Sequence, residues 1–435
     1  MSSLSIAQPV GYNKSSCGYC KPKGTSRRDA NETSFSYGFI AYRLSPSHYQ
    51  QLIDQGWRRS GIYIYKPDNL RTCCPQHSIR LRTSSFRPSK AQRRAVGHLY
   101  WTLCGDTKPS KWKGKWGASR PWDLDAHLER VFVQHGHERP PPMHGPYSST
   151  SHERIEVSLD KASATSEKYQ LFRKYQAAIH GEAHDEISSR HGWEQFLVES
   201  PFPENDDDDQ GSVDSPTFGL YHQAYRYRGQ LIAVGVVDIL PHCVSSVYFF
   251  YDPAYTAWEL GKVSALVEIQ LARSLQATTL PDLSWYYLGY YIHTCQKMRY
   301  KGTFKPAELL DTMDNQWYPL EQIMPNLECG QRYQFGAESI DPRTCESVSC
   351  LVPFSEAGVA DRLPRPWPLG FADPTRMLVD CPECPVLIPT MSSPMLVTLQ
   401  MISNLLASED TLITLTGFFA SLNSDLRQGI AALVS

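Results

Sequence analysis

Four cysteines in two close pairs are the residues of this chain best suited to chemistry. Cys17 and Cys20 are separated by two residues, and Cys73 and Cys74 are adjacent. A Cys-x-x-Cys turn presents both sulfurs to one ion, and four thiolates suit zinc or an iron–sulfur cluster. Neighbouring strand side chains point apart, so the adjacent pair needs a turn, which Pro75 can supply. The pairs predict a metal site; the alternative is that Cys73 and Cys74 are ordinary buried thiols.

The other cysteines give a weaker pattern. Cys381 and Cys384 form a second Cys-x-x-Cys, but only Cys345 and Cys350 lie upstream, at a looser spacing. We interpret this group as structural rather than metal-binding. Twelve cysteines in a chain without a recognisable secretion signal indicate a reducing compartment, where cysteines are metal ligands or buried thiols rather than disulfides.

A run of basic residues overlaps the second cysteine pair. Residues 71–120 contain twelve lysines and arginines and a single acid, Asp106. In a chain of formal net charge −2 this excess indicates a local anionic partner, because phosphate contacts release counterions. Trp101, Trp112 and Trp116 lie in the same run and can stack on exposed bases. The alternative is a solvated basic face or loop.

The elements that must position these residues follow an α/β order. Residues 218–227, 230–240 and 243–251 alternate or are strongly apolar, as in strands. Helical spacing of apolar residues then runs from Leu260 to Leu271, and residues 285–292 return to a strand pattern. Strand–turn–strand–break–strand–helix–strand is the core order of a GNAT-like acyltransferase sheet. The sequence therefore predicts an α/β (α+β) fold with a cysteine-rich N-terminal segment.

The chain divides into four predicted segments. The first contains predicted strands at 34–42, 61–65 and 77–82 and helices beginning at Ser45-Pro46 and Pro88-Ser89. The second is a poor candidate for packed structure, and the last is predicted to be helical from Pro394 onward. The segments are the N-terminal metal-binding domain (1–104), a basic, proline-rich insertion or linker (105–152), the GNAT-like domain (153–340) and a C-terminal extension (341–435).

Length and hydropathy set the cellular context. With 435 residues and 41% hydrophobic content, the chain can build one large or two medium cores. No stretch approaches the roughly 18 apolar residues of a membrane helix. The N-terminus lacks the basic start and apolar run of a secretory signal. These features predict a cytoplasmic protein, with the nucleus as a further location, and no membrane partner.

Several motifs resemble the arginyl-tRNA–protein transferase family. The similarity covers about residues 15–100 and 155–325, and the motifs are long and rarely shared. They are Cys17-Gly18-Tyr19-Cys20, Gly56-Trp57-Arg58-Arg59-Ser60-Gly61, Cys73-Cys74-Pro75, Pro88-Ser89-Lys90 with Gln92-Arg93-Arg94, residues 231–251, Gly289-Tyr290-Tyr291-Ile292-His293 and Lys297-Met298-Arg299-Tyr300-Lys301-Gly302. The insertion and the C-terminal extension depart from the family's usual shape but interrupt no motif.

The resemblance implies a particular reaction. The α-amine of an N-terminal Asp, Glu or oxidised Cys attacks the ester carbonyl of Arg-tRNA, and the tRNA ribose oxygen leaves. The product is a destabilising N-terminus that ubiquitin ligases recognise in the N-degron pathway. The implied partners are Arg-tRNA, acceptor proteins with acidic N-termini and ubiquitin-ligase pathway components. The family's four-cysteine site is described as an iron–sulfur cluster, its catalytic domain as GNAT-like, and no nucleotide cofactor is implied.

This reaction assigns candidate roles to the strand block. An activated ester needs a positioned amine and a stabilised oxyanion. Asp238 ends a strand just before a break, where a GNAT-like sheet is expected to open. It can bind the arginyl guanidinium, which we favour, or accept the amine's proton; the alternative is backbone capping. The predicted donors to the aminoacyl carbonyl are Ser245, Ser246 and Tyr248, each with edge packing as the alternative, and Tyr251 is predicted to border the pocket.

The predicted substrate contacts are mainly basic. Backbone N–H groups at the helix start at residues 260–262 suit a phosphate or ribose contact. The cationic cluster at residues 293–301, after the last core strand, suits the tRNA end and the acceptor's acidic side chain. A charged surface is the alternative for that cluster. The predicted substrate-binding residues are Arg58, Arg59, Lys90, Arg93, Gly261, Lys262, His293, Lys297, Arg299, Tyr300 and Lys301.

Two other functions compete with this hypothesis. A GNAT-type acyl-CoA N-acyltransferase binds pyrophosphate at a glycine-rich turn, but residues 257–262 contain a single glycine and an acid. A metal-containing RNA-binding adaptor would use the cysteines and the basic run equally well. It would leave Asp238, its sheet and the cationic cluster without a role.

Overall fold

The computed structural model describes residues 4–20, 31–105, 123–134, 153–203, 217–336, 367–390, 393–404 and 408–434. These residues form two β-sheets with helices packed on them, which confirms the predicted α/β fold class. The described residues include no helix that is both long and apolar enough to cross a membrane.

The smaller sheet has seven strands drawn from both ends of the chain. They are β1 (Ser5–Ser16), β2 (Glu32–Arg43), β3 (Arg58–Ser60), β4 (Tyr63–Pro67), β14 (Pro385–Ile388), β15 (Met395–Thr398) and β16 (Ile430–Leu433). Their order is β15-β14-β16-β1-β2-β4-β3.

The larger sheet has nine strands and contains most of the predicted core block. They are β5 (His77–Arg82), β6 (Phe132–Gln134), β7 (Ile155–Lys161), β8 (Gly219–Tyr227), β9 (Gln230–Ile239), β10 (Cys243–Tyr251), β11 (Trp285–Tyr291), β12 (Glu308–Asp311) and β13 (Gln316–Pro319). Their order is β13-β12-β5-β11-β10-β9-β8-β7-β6. Because β5 belongs to this sheet, the chain crosses between the sheets within residues 1–104.

The α-helices begin at predicted signals where local chemistry is strong. Ser45 caps the first helix through its side chain, and Ser89 and Gln92 form a reciprocal capping box at the second. The described α-helices are α1 (Pro46–Ile53), α2 (Lys90–Leu103), α3 (Leu124–Val131), α4 (Ser166–Tyr175), α5 (Arg190–Leu197), α6 (Leu260–Thr278), α7 (Gln296–Arg299), α8 (Leu320–Glu328), α9 (Met377–Asp380), α10 (Leu399–Asn404), α11 (Glu409–Ser421) and α12 (Ser424–Gly429).

One hydrophobic core lies between the two sheets. Phe39 and Trp57 from the smaller sheet's side meet Val234 and Phe250 of the larger sheet, and all four are fully buried. The other face of the larger sheet packs on α2, α3 and α6. Strand β9 is therefore covered on both faces, which explains its nearly continuous apolar sequence.

Two predictions about the less regular segments were wrong. Within 105–152, the described residues 123–134 pack well: α3 is capped by Asp123 and buries Leu124, Leu128 and Val131. Strand β6 then pairs with β7. Residues 106–122 and 135–152 lie outside the described part. The C-terminal segment is not uniformly helical, because its helices α10–α12 lie between strands β15 and β16, and β16 pairs in parallel with β1.

The larger sheet opens between β10 and β11. These parallel strands pair only at residues 243–245 with 285–287. Beyond that point a bulge interrupts β10 between Ser246 and Tyr248. Gly289 of β11 has a φ of 76°, a left-handed conformation that favours glycine. The strands diverge towards their C-terminal ends, and we call the resulting gap the β10–β11 opening.

Candidate active site and metal centre

The structure brings the four predicted metal-binding cysteines together. Cys17 and Cys20 follow β1, and Cys73 and Cys74 follow β4. In the smaller sheet, β2 lies between these two strands. The four Sγ atoms all lie within 4.8 Å of one another. Cys20 Sγ is 3.4 Å from Cys73 Sγ and 3.1 Å from Cys74 Sγ. We call this group the four-thiol cluster.

The donor set and its surroundings fit a metal. The backbone N–H groups of Tyr19 and Cys20 both donate to Cys17 Sγ at 3.4 Å, an arrangement that stabilises a thiolate. A tetrahedral ion with bonds of about 2.3 Å separates its sulfurs by roughly 3.8 Å. Two of the sulfur pairs are nearer than this and all pairs lie within 4.8 Å, so the four thiols are close enough to bind one metal group.

The four-thiol cluster packs directly against the segment that follows β11. Ile292, Cys295 and Met298 contact the cysteines, and Thr294 Oγ1 donates to Cys74 Sγ at 3.7 Å. The predicted cationic cluster occupies this same segment. The metal centre and the candidate substrate-binding loop are thus neighbours, which no pattern in the sequence indicated.

The carboxylate of Asp238 is bound by Arg59 of this same chain. Arg59 Nε donates to Oδ2 at 2.9 Å and Nη2 to Oδ1 at 2.5 Å, and both side chains are at most 1% exposed. Burial raises the pKa of Asp238, and the Arg59 charge opposes this shift. Because Arg59 lies on β3 and Asp238 on β9, the ion pair joins the two sheets.

This geometry corrects the expected role of Asp238. The residue pairs with Ser245 at the closed end of β10, away from the opening. A substrate guanidinium would have to displace Arg59 from a fully buried, bidentate pair, which is energetically costly. The ion pair holds β3 against β9, and its burial argues against the substrate contacts predicted for Asp238 and Arg59.

Arg58, the neighbouring residue on β3, reaches the β10–β11 opening from the side of the smaller sheet. Its Nη2 donates to the Gly289 carbonyl at 3.4 Å, and its guanidinium lies 5.5 Å and 5.4 Å from the ring centres of Tyr287 and Tyr290. The side chain is 7% exposed, and its Nε is buried without a hydrogen-bond partner. Arg58 therefore holds a positive charge beside β11.

Lys301 approaches the opening from the turn after α7. Its Nζ donates to the Tyr290 carbonyl at 2.9 Å. Burial, with the nearby Arg58 charge, lowers the pKa of Lys301 to about 7, although Glu268 opposes this shift. The structure thus brings together Arg58 and Lys301, which the sequence had predicted separately.

Sequence reasoning missed Glu268, which lies on α6 at the base of the opening. It is 1% exposed and accepts a hydrogen bond of 2.6 Å from the Tyr286 hydroxyl. Burial raises the pKa of Glu268 to about 7, an effect that the nearby Tyr286 and Ser246 side chains oppose. A lone acid in the apolar run 263–269 was the available signal, because buried acids are rare unless paired.

Half-buried aromatic side chains line the open part of β10. Tyr248 donates to Gln176 Oε1 at 3.0 Å and packs near Tyr175, and burial raises its pKa. Tyr251 also packs on Tyr175, with ring centres 5.2 Å apart. Tyr248 packs against the core between the sheets and Tyr251 against the core on the α6 face, and Tyr175 contacts both rings.

The remaining predicted residues lie nearer the surface. Lys90, Arg93, Lys297, Arg299 and Tyr300 are exposed, and His293 is half-buried. Lys262, at the start of α6, pairs with Glu259, and Gly261 lies beside Phe249. The start of α2 contacts the turn after α7, since Gln92 Nε2 donates to the Thr303 carbonyl at 3.4 Å. The basic end of α2 therefore adjoins the segment that contains Lys301.

The cysteines of the second Cys-x-x-Cys motif were expected to be free thiols, and the structure differs. Cys381 and Cys384 form a disulfide, because the short turn between them brings their Cα atoms to 5.7 Å. Cys345 and Cys350 lie outside the described residues.

Comparison with known proteins agrees with the geometry. The family models described as arginine-tRNA-protein transferase, N terminus and C terminus, match residues 15–94 and 167–311. Arginyl-tRNA–protein transferase 1 of Drosophila melanogaster is 30% identical, over 74% of this chain and 84% of the relative. Arginyl-tRNA–protein transferase 2 of Arabidopsis thaliana is 29% identical, over 74% and 76%. An aspartate/glutamate leucyltransferase of Chromobacterium violaceum is 28% identical, over 60% and 77%.

The first matched region contains the four-thiol cluster and Arg58, and the second contains the β10–β11 opening with Glu268 and Lys301. The identity to the Drosophila relative extends over most of both chains. The chain therefore belongs to the arginyl-tRNA–protein transferase family and is an aminoacyltransferase that moves arginine from tRNA to proteins.

Proposed function

We propose that the enzyme transfers arginine to the N-terminal amine of proteins beginning with Asp, Glu or oxidised Cys. Such transfer marks the acceptor for degradation through the N-degron pathway, with ubiquitin-ligase components as downstream partners. The proposal rests chiefly on Arg58 and Lys301, two cations that border the β10–β11 opening beside Ser246. The similar bacterial enzyme is named for aspartate and glutamate, which supports an acidic first residue.

The tRNA acceptor end would approach along the basic end of α2. Lys90 and Arg93 are exposed there, and the contact between Gln92 and Thr303 joins this end to the loop containing Lys297 and Arg299. Cations along one path attract phosphates and release counterions. We assign His293 and Tyr300 to the same path, and Gly261 with Lys262 to a ribose or phosphate at the start of α6.

The aminoacyl ester would lie against β10. Ser246 and Tyr248 carry hydroxyls on β10 and can donate to the ester carbonyl as negative charge develops on its oxygen. Tyr251 borders this position through its contact with Tyr175. Asp238 and Arg59 contribute indirectly, because they fix the strand from which Arg58 projects.

The four-thiol cluster would hold the metal, as zinc or as an iron–sulfur cluster. Cys17, Cys20, Cys73 and Cys74 supply the ligands. When bound, such a group crosslinks the segments that carry it and fixes the loop packed on them. We place the enzyme in the cytoplasm and the nucleus, because thiolate ligands persist under reducing conditions.

Transfer of label from radioactive Arg-tRNA to a peptide beginning with Asp tests the proposal directly. The full chain should label this peptide, and should not label the same peptide with an acetylated N-terminus, because the α-amine is the nucleophile. A peptide that stays unlabelled while tRNA and peptide are intact contradicts the proposal. Micromolar binding of acetyl-CoA in a titration would instead favour an acyl-CoA N-acyltransferase.

A further inference from the structure

Three ionisable side chains meet at the β10–β11 opening from three different elements. Arg58 comes from β3, Glu268 from α6 and Lys301 from the turn after α7. Lys301 interacts electrostatically with both of the others. None of the three forms an ion pair with another described residue.

Arg58 holds a positive charge without a carboxylate partner among the described residues, and Lys301, with a pKa lowered to about 7, is readily protonated when an anion approaches. Among the described residues, Arg58 donates to the backbone carbonyls of Trp57 and Gly289, and its Nε has no acceptor there. Lys301 donates to the Tyr290 carbonyl. Removing cations from water without a counterion is costly, so an anion that enters this space is strongly stabilised.

The acid lies on the other side of the same gap, behind a hydroxyl. Ser246 is half-buried on β10, and its side chain is near enough to Glu268 to oppose the rise in the pKa of that carboxyl. The Tyr286 hydroxyl donates to the Glu268 carboxylate at 2.6 Å.

Gly289 keeps the space between these groups clear. A Cβ atom at this position would lie 3.5 Å from Lys301 Nζ and 3.7 Å from the Ser246 carbonyl oxygen. The lysine and the serine therefore border the same small volume. That volume has cations on one side and a proton acceptor on the other.

We propose that this volume is the subsite for the acceptor protein's first residue. Lys301 and Arg58 bind the side-chain carboxylate of Asp or Glu, and Ser246, backed by Glu268, binds the α-amine. In these two amino acids only a few bonds separate the opposite charges, so one small site can contact both. This inference rests on the proposed arginyl transfer and deepens it by naming what selects the acceptor.

The transfer step then balances as follows. The α-ammonium gives one proton to the Glu268 carboxylate. The free amine attacks the ester carbonyl carbon, a C–N bond forms, and the bond from that carbon to the tRNA ribose oxygen breaks. The second amine proton goes to the leaving ribose oxygen, and Glu268 returns its proton to water.

The test compares peptides that differ only in the first residue, Asp against its uncharged analogue Asn. With full-length enzyme and Arg-tRNA, Lys301→Met should lower kcat/KM for the Asp peptide by about ten- to hundredfold, mostly through KM, because a charged hydrogen bond is lost. The Asn peptide should be little affected, so the discrimination between the two falls. Lys305→Gln, an exposed lysine paired with Glu321, is the matched control and should keep the wild-type ratio.

Glu268 is tested by a different readout. Glu268→Gln should lower kcat for both peptides while leaving KM nearly constant, and Glu268→Asp should restore part of the rate. If a variant is too slow to measure, fluorescence polarisation of labelled peptides replaces kinetics. Wild type should bind the Asp peptide more tightly than the Asn peptide, and Lys301→Met should bind both equally.

The proposed subsite is contradicted if the folded Lys301→Met variant keeps the wild-type preference for the Asp peptide over the Asn peptide, in kinetics or in fluorescence polarisation. Arg58→Gln provides a second check of the carboxylate position, with circular dichroism to establish folding. A wild-type enzyme that labels neither peptide would instead count against the proposed function itself. The two failures are therefore distinguishable.

Discussion

At the scale of single residues, Glu268 shows what the burial of an ionisable group costs in stability. The carboxyl is fully buried, and its pKa is raised from 4.5 to about 7 because burial disfavours the charged form. The native state therefore binds this proton more tightly than the unfolded state. Stability from this group is present below pH 4.5 and is lost as pH rises through 7.

Replacing this carboxyl with an amide should restore the stability that wild type loses at high pH. We expect Glu268→Gln to be more stable than wild type at pH 8, by on the order of 3 kcal/mol, because the amide cannot ionise. The difference should shrink towards pH 4.5. Urea unfolding at pH 5 and pH 8 measures both values. Glu259→Gln, an exposed position just before the same helix, should change neither, and identical pH dependence of wild type and Glu268→Gln would contradict the assignment.

At the scale of elements, the Arg59–Asp238 pair positions a three-residue strand against the larger sheet. Strand β3 is too short to be held by its ladder with β4 alone, and Arg58 projects from it towards the opening. The pair is buried and bidentate, so it fixes the strand's register as well as its distance. The position of Arg58 depends on this contact.

Removing one charge of the pair should destabilise the protein far more than replacing both residues with apolar ones. Asp238→Asn should lower the free energy of unfolding by about 3–5 kcal/mol, because Arg59 is left as a buried charge. The double variant Arg59→Met/Asp238→Leu should lose much less, since neither charge remains. Denaturant unfolding of both variants provides the measurement. A small effect of Asp238→Asn, equal to that of the double variant, would show that water or another group compensates.

At the scale of the whole molecule, the four-thiol cluster joins distant parts of the chain. Its ligands come from two turns of the smaller sheet, and the segment after β11 of the larger sheet packs on them. A metal at this place therefore connects both sheets beside the candidate active site. Loss of the metal should affect that loop more than the distant edges of either sheet.

Cys73→Ser tests this coupling. We expect the variant to lose its bound metal in elemental analysis, because three thiolates and a hydroxyl bind far more weakly than four thiolates. Hydrogen exchange should then rise in residues 292–298, which contact the cysteines. Cys329→Ser removes an exposed thiol outside the cluster and should alter neither quantity. Unchanged metal content in Cys73→Ser would argue against a four-thiol site.

Local sequence determined the candidate metal ligands, the capped helices and the strands of the catalytic block. The Cys-x-x-Cys spacing, the Ser89–Gln92 capping box and the apolar run of β9 are short-range patterns whose physical meaning is nearly independent of context. The family motifs also lie within such continuous segments. These features set the fold class and the reaction.

Only the tertiary structure decided which charges face the active site. Asp238 was the most visible acid in the strand block, but Arg59, far away in sequence, neutralises it inside the protein. Glu268, hidden in a helix, instead reaches the opening, and β16 joins β1 from the other end of the chain. A side chain's ionisation and access depend on its partners in space, and these come from segments that no local pattern connects.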